Sequence, residues 1–219
     1  MIFELLRRTL SGAATTVVMA GAAITTPALG TLAVANAACP DIEVTFARGT
    51  GEAPGLGLVG GTFVDQLRGK VGGRSVGAYG VNYPATYDFL AAADGANDAS
   101  AHIQWMADNC PDTRQVLGGY SQGAAVMDVI GAVPVPGVGF SNPLPPDAAG
   151  HVAAIAVFGN PSAKLGLPLT ASPVWGGKVI DLCNGGDPIC QTDGRDVPAH
   201  SAYAGAQTNN AANFVAGLL

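Results

Sequence analysis

One short run constrains this chain more than any other. Gly119-Tyr120-Ser121-Gln122-Gly123 lies between the apolar stretch Val116-Leu117 and the helix-forming Ala124-Ala125-Val126-Met127. A Gly-x-Ser-x-Gly run at a strand-to-helix junction lets the backbone turn sharply and lifts the serine hydroxyl clear of it, because the flanking glycines bring no side chain into the turn. The bare pattern is permissive in a chain with 31 glycines among 219 residues, and Gly73-Arg74-Ser75-Val76-Gly77 matches it too. Ser75, however, opens an apolar run instead of standing between a strand and a helix. Ser121 is therefore the candidate nucleophile and Ser75 a decoy.

The rest of the chain alternates in the way such a junction demands. Strands are expected at Ile42–Ala47, Ser75–Asn82, Arg114–Gly119, Val152–Phe158 and Lys178–Cys183, and helices at Leu58–Val71, Asp94–Asn109, Gln122–Ala132 and Ser201–Leu219. Near-continuous apolar strands separated by helices predict a mostly parallel sheet covered on both faces, a three-layer α/β/α sandwich. Pro134–Gly150 and Leu165–Gly177 are rich in Pro and Gly and read as surface loops. No repeat, heptad or charge block interrupts the pattern.

The first 37 residues stand apart. Arg7 and Arg8 precede a long uncharged stretch that ends in Ala35-Asn36-Ala37, a small-x-small cleavage pattern. This reads as a secretory leader over 1–37 ahead of one domain over 38–219. A membrane anchor is the rival; Pro27 within the stretch and the lack of Lys or Arg closely after it favour a leader, so no stable membrane insertion is expected once it is cleaved. The paired arginines leave the export route, general secretory or twin-arginine, open. Without the leader the chain keeps 8 basic and 15 acidic residues, a net charge of −7. With so few cations, a nucleic-acid partner is not expected. All four cysteines remain, and in an oxidising compartment they predict two disulfides. Zinc is disfavoured because no C-x₂-C pair is present. Cys39 and Cys110 each precede a strand, and parallel strands start on one edge, so the layout favours Cys39–Cys110 with Cys183–Cys190.

A serine nucleophile needs a base, and three histidines are available. His102 precedes Ser121 and sits in a predicted helix; His151 opens a strand, at the edge away from catalytic loops. His200, beyond the last strand, is the candidate base by elimination, in the chain order Ser, acid, His. Asp187 is the candidate acid, because a loop closed by Cys183 and Cys190 would hold it rigidly; Asp181, Asp193 and Asp196 are its rivals. The candidate oxyanion hole combines the N–H of Gln122 with Thr50, in the loop after the first strand. Gly55-x-Gly57-x-x-Gly60 imitates a dinucleotide fingerprint, but it starts eight residues after Ala47 and no acidic residue closes the next strand.

Taken together, Ala47-Arg48-Gly49-Thr50-Gly51-Glu52, Asn82-Tyr83-Pro84-Ala85, Gly118 to Ala124 and Cys183-Asn184-Gly185-Gly186-Asp187-Pro188-Ile189-Cys190 resemble the cutinase family, in particular its actinobacterial secreted esterases. The likeness spans nearly all of 38–219. It implies an α/β-hydrolase-type domain with a five-stranded sheet and no large lid. It also implies a triad falling on Ser121, Asp187 and His200, an oxyanion hole on Thr50 and Gln122, and two disulfides. Plant-pathogen cutinases carry Ser where Thr50 stands, which keeps a hydroxyl there. The expected activity is hydrolysis of short- to medium-chain carboxylic esters through an acyl-enzyme, by an extracellular or cell-wall-associated monomer that needs no metal or organic cofactor. Phospholipase A or lipase activity on long-chain lipids is the alternative, and a catalytically silent binding protein on the same fold is a third reading. An open crevice is expected, rimmed by Tyr87, Phe89, Leu90, Leu165, Leu167, Val174 and Trp175.

Overall fold

The structure, a computed structural model, describes residues 39–132 and 139–219. The leader expected over 1–37 and residues 134–138 of the first Pro-rich stretch lie outside the described residues. Five strands, β1 Ile42–Ala47, β2 Val76–Gly80, β3 Arg114–Tyr120, β4 Val152–Phe158 and β5 Val179–Leu182, pair in parallel in the order β2-β1-β3-β4-β5. Composition follows position. The interior strands β1 and β4, IEVTFA and VAAIAVF, are buried at every residue, whereas the edge strand β2 is buried at none. Strands covered on both faces have no reason to alternate polar with apolar residues.

The helices are α1 Gly57–Arg68, α2 Ala92–Asn109, α3 Gln122–Ala132, α4 Pro146–His151, α5 Pro161–Lys164, α6 Val197–Ser201 and α7 Ala206–Ala216. The pair α1 and α7 covers one face of the sheet, and α2 with α3 covers the other. On the first face Phe46, Phe63 and Phe158 meet with ring centroids 6.0–6.4 Å apart, tilted or edge-on as aromatic quadrupoles prefer. On the second, Ile103, Leu117, Met127 and Ile155 form the centre of the core.

Two expectations need correction. The final helix starts later than Ser201: it is α7, entered through Gly205, whose φ of 120° is open to glycine and hardly to other residues, and α6 is a separate short helix that ends at Ser201. The Pro-rich stretches are also more than loops. The first contains α4 and buries Phe140 and Leu144; the second buries Leu169 and Trp175 against α3, where a Cβ at Gly131 would lie 2.7 Å from Leu169.

The two ends of the sheet differ. At the N-terminal edge Cys39 is bonded to Cys110, Thr113 Oγ1 donates to the Pro40 carbonyl at 2.6 Å, and the Ser75 N–H and hydroxyl both donate to Asp41. Closing the long loop between those cysteines contributes about 4 kcal/mol on a chain-entropy argument. At the C-terminal edge the strand order reverses between β1 and β3, since one connection leaves toward β2 and the other toward β4. Such a switch point opens a crevice between the two outgoing loops, and those loops carry Thr50 and Ser121.

Candidate active site

Ser121 adopts φ 56°, in the left-handed region where a side chain costs about 1–3 kcal/mol. The turn is held by its surroundings: Ser121 N–H donates to the Phe158 carbonyl at 2.9 Å, and its own carbonyl accepts from Ala124 and Ala125. Both motif glycines are required by contact. A Cβ on Gly119 would fall 2.1 Å from the Gly123 carbonyl oxygen, and one on Gly123 would fall 1.9 Å from that of Ala47.

The Ser121 hydroxyl lies 2.9 Å from His200 Nε2, and His200 Nδ1 lies 2.8 Å from Asp187 Oδ2. With the proton on Nδ1 directed at the carboxylate, Nε2 is free to accept the serine proton. Short α6 carries His200. Its entry is capped by Asp196, and the Tyr120 hydroxyl donates to the His200 carbonyl at 2.7 Å while its ring stacks on the imidazole.

Asp187 is fully buried in the loop closed by the Cys183–Cys190 disulfide. Burial alone would push its carboxyl up, but three donors outweigh it: Tyr203 O–H at 2.6 Å and His200 on Oδ2, and the Ile189 N–H at 2.7 Å on Oδ1. The group is held below its ordinary value and stays ionised. Tyr203 escaped the sequence reading. Its one signal was chemical: a tyrosine three residues after His200, in an apolar stretch, must find a partner for its hydroxyl when buried.

Thr50 and Gln122 meet across the switch point, where the Thr50 hydroxyl donates to Gln122 Oε1 at 3.1 Å. That hydroxyl is thereby engaged, which leaves the backbone N–H of Thr50 as the donor it can offer. The N–H of Gln122 opens α3 and has no acceptor within the helix. Beneath Thr50, Glu52 accepts the Gly49 N–H, and Arg48 donates to the carbonyls of Glu52, Val81 and Tyr83, fixing the loop. Two glycines of the dinucleotide look-alike serve packing: a Cβ on Gly57 would strike the Glu52 carboxylate, and one on Gly60 the Phe46 ring, while Gly55 supplies a φ of 122°.

The rival residues lie elsewhere. Ser75 ties strand starts together; His102 stacks on Tyr79 at 3.7 Å and faces Glu43; His151 ends α4. Asp193 and Asp196 are exposed. Asp181 shares the Asn160 amide with Asp128, and burial raises both carboxyls, Asp128 to about 6. Among the described residues, no group of three or more His, Cys, Asp or Glu could hold a metal ion, and no helix is long and apolar enough to cross a membrane.

Ser121 opens into a crevice of about 670 Å³ between Thr50, Tyr87, Phe89 and Gln122 on one side and Pro161, Leu165 and Ile189 on the other. The expected rim is thus right for Tyr87, Phe89 and Leu165 only. Leu90 and Val174 do not line the crevice, Leu167 faces a different one, and Trp175 is 4% exposed because it packs into the core beside α3.

Comparison with known proteins supplies the lineage. The family model described as Cutinase matches residues 38–219. Phospholipase Culp4 of Mycobacterium tuberculosis is 61% identical over 192 residues, covering 87% of this chain and 83% of its own length. Carboxylesterase Culp1 of Mycobacterium bovis is 47% identical over 207 residues, 90% of each chain. Among solved structures, a Trichoderma reesei cutinase in complex with a phosphonate inhibitor superposes with a TM-score of 0.68 at 32% identity, over 82% of this chain and 77% of that one.

Proposed function

The chain belongs to the cutinase family and is a serine carboxylic-ester hydrolase, and we propose that Ser121, His200 and Asp187 carry its chemistry. Ser121 Oγ attacks the ester carbonyl as His200 Nε2 takes its proton. Asp187 holds the Nδ1–H and stabilises the imidazolium that forms. The backbone N–H groups of Gln122 and Thr50 receive the developing oxyanion. His200 then protonates the departing alkoxide, leaving an acyl-Ser121 that water, activated by the same imidazole, hydrolyses. The observation that carries this reading is the unbroken run of contacts from Ser121 Oγ through His200 to Asp187, at 2.9 and 2.8 Å.

The crevice beside Ser121 is of a size to hold a short- to medium-chain acyl group. Long-chain lipid esters are the second reading, favoured by the relative named a phospholipase at 61% identity. Export of the protein to the extracellular side is supported by its two disulfides and by the leader pattern. The test is Ser121→Ala assayed on p-nitrophenyl butyrate, with labelling by a fluorophosphonate probe. Loss of at least a thousandfold in kcat, together with loss of labelling and an unchanged melting temperature, is expected; activity within tenfold of wild type would refute the assignment.

A further inference from the structure

A second crevice, of about 510 Å³, lies beside the first. One face of α3 runs through both. Gln122 and Ala125 line the Ser121 crevice, and Val129, seven residues after Gln122 and so on the same face, lines the second with Asp128. The wall between them is α5 and its exit. Pro161, Lys164 and Leu165 face the first crevice, and Ser162, Gly166 and Leu167 the second. Gly166, at φ 73°, turns the chain so that its two leucine neighbours serve opposite sides. Both are large apolar side chains left in water, Leu165 at 75% and Leu167 at 70% exposure.

We propose that this second crevice receives the distal part of a long acyl chain whose ester carbonyl lies at Ser121, which makes long-chain lipid esters substrates of the same site. The inference rests on the reading of Ser121 as nucleophile. The crevice suits an uncharged alkyl tail: its lining is mostly apolar, and among the lining residues there is no Lys, Arg or His to receive a carboxylate or phosphate head. Its volume is that of a small-ligand pocket. From Ser121 to Val129 is eight residues of helix, about 12 Å, so a butyryl tail stops in the first crevice. A tail of about ten carbons or more, with bonds near 1.5 Å, reaches the second.

The experiment compares p-nitrophenyl butyrate with p-nitrophenyl laurate, both kept below their aggregation thresholds, on wild type, Leu167→Asp and Ala171→Trp. Leu167 and Ala171 are exposed, so neither variant disturbs the core, and melting temperatures should match wild type. Butyrate kcat/KM should stay within twofold in both variants, whereas laurate kcat/KM should fall about tenfold or more, mainly through KM, because several methylenes lose their apolar cover. Laurate hydrolysis unaffected by both variants, or equal losses on the two esters, would overturn the proposal while leaving the esterase reading intact. Absence of butyrate hydrolysis in wild type would overturn the underlying reading instead.

Discussion

Two groups of buried aspartates sit near the same end of the sheet and behave in opposite ways. Asp187 has no exposed surface, yet its carboxyl is held below the ordinary range because Tyr203, His200 and the Ile189 N–H all donate to it. Asp128 and Asp181 keep some exposed surface, yet neighbouring atoms crowd them more densely, and burial raises both carboxyls. A single amide, that of Asn160, serves both, and each keeps one buried oxygen without a protein partner. Burial pushes all three carboxyls up, and the donors aimed at Asp187 are enough to reverse that push while those at Asp128 and Asp181 are not. The first group fixes the His200 ring, as the proposed triad requires. The second holds α5 in place through Asn160, whose side-chain oxygen caps that helix at Ser162.

The contrast can be broken most sharply at Asp187. Asp187→Asn should lower kcat about 10⁴-fold with the fold intact, because an amide at Nδ1 no longer fixes the tautomer that leaves Nε2 free. A loss of less than tenfold in a steady-state assay would remove the distinction between the two groups.

Removing one donor should sharpen it. In Tyr203→Phe the Asp187 carboxylate loses its shortest hydrogen bond and the Asn184 N–H loses its acceptor. Two buried groups left wanting should cost about 3 kcal/mol in urea unfolding. Because the Asp187 carboxyl is depressed in the folded state, its stabilisation is present above the ordinary carboxylate range and lost as pH falls through the folded value. The variant should therefore lose activity at a higher pH on the acid side. An unmoved kcat/KM profile would mean that Tyr203 only packs.

The smallest effect belongs to the other group. Asp128 is raised from 3.8 to about 6, chiefly by burial, so this carboxyl binds its proton more tightly folded than unfolded. Its contribution to stability falls as pH rises across that interval and stays low above it. Asp128→Asn should gain up to about 2 kcal/mol at pH 7 and nothing at pH 4. Equal unfolding midpoints for variant and wild type at pH 7 would contradict the account.

The strands and the elbow were legible because each rests on local rules. Val152–Phe158 is apolar throughout since both its faces are covered, and Gly119 and Gly123 are glycine because carbonyl oxygens occupy the space of a Cβ. What stayed hidden depends on contacts distant in sequence. Trp175 lies in a Pro- and Gly-rich stretch with no periodicity, and only its docking against α3 shows that it is buried. Tyr203 lacks a motif of its own, and its role follows from a hydrogen bond to a residue sixteen positions earlier. The late start of the final helix was missed because Ser201-Ala202-Tyr203-Ala204 carries no residue that breaks a helix.

The unequal ends of the sheet have a consequence for descent. One edge is the foundation, where the Cys39–Cys110 bridge and the Asp41–Ser75 tie bind the strand starts and take no part in the candidate site. The other edge carries the candidate site. Loops there can be rewritten by mutation without loosening the foundation, which gives one scaffold room to diversify. Relatives bearing the names carboxylesterase and phospholipase are what such an arrangement would leave behind.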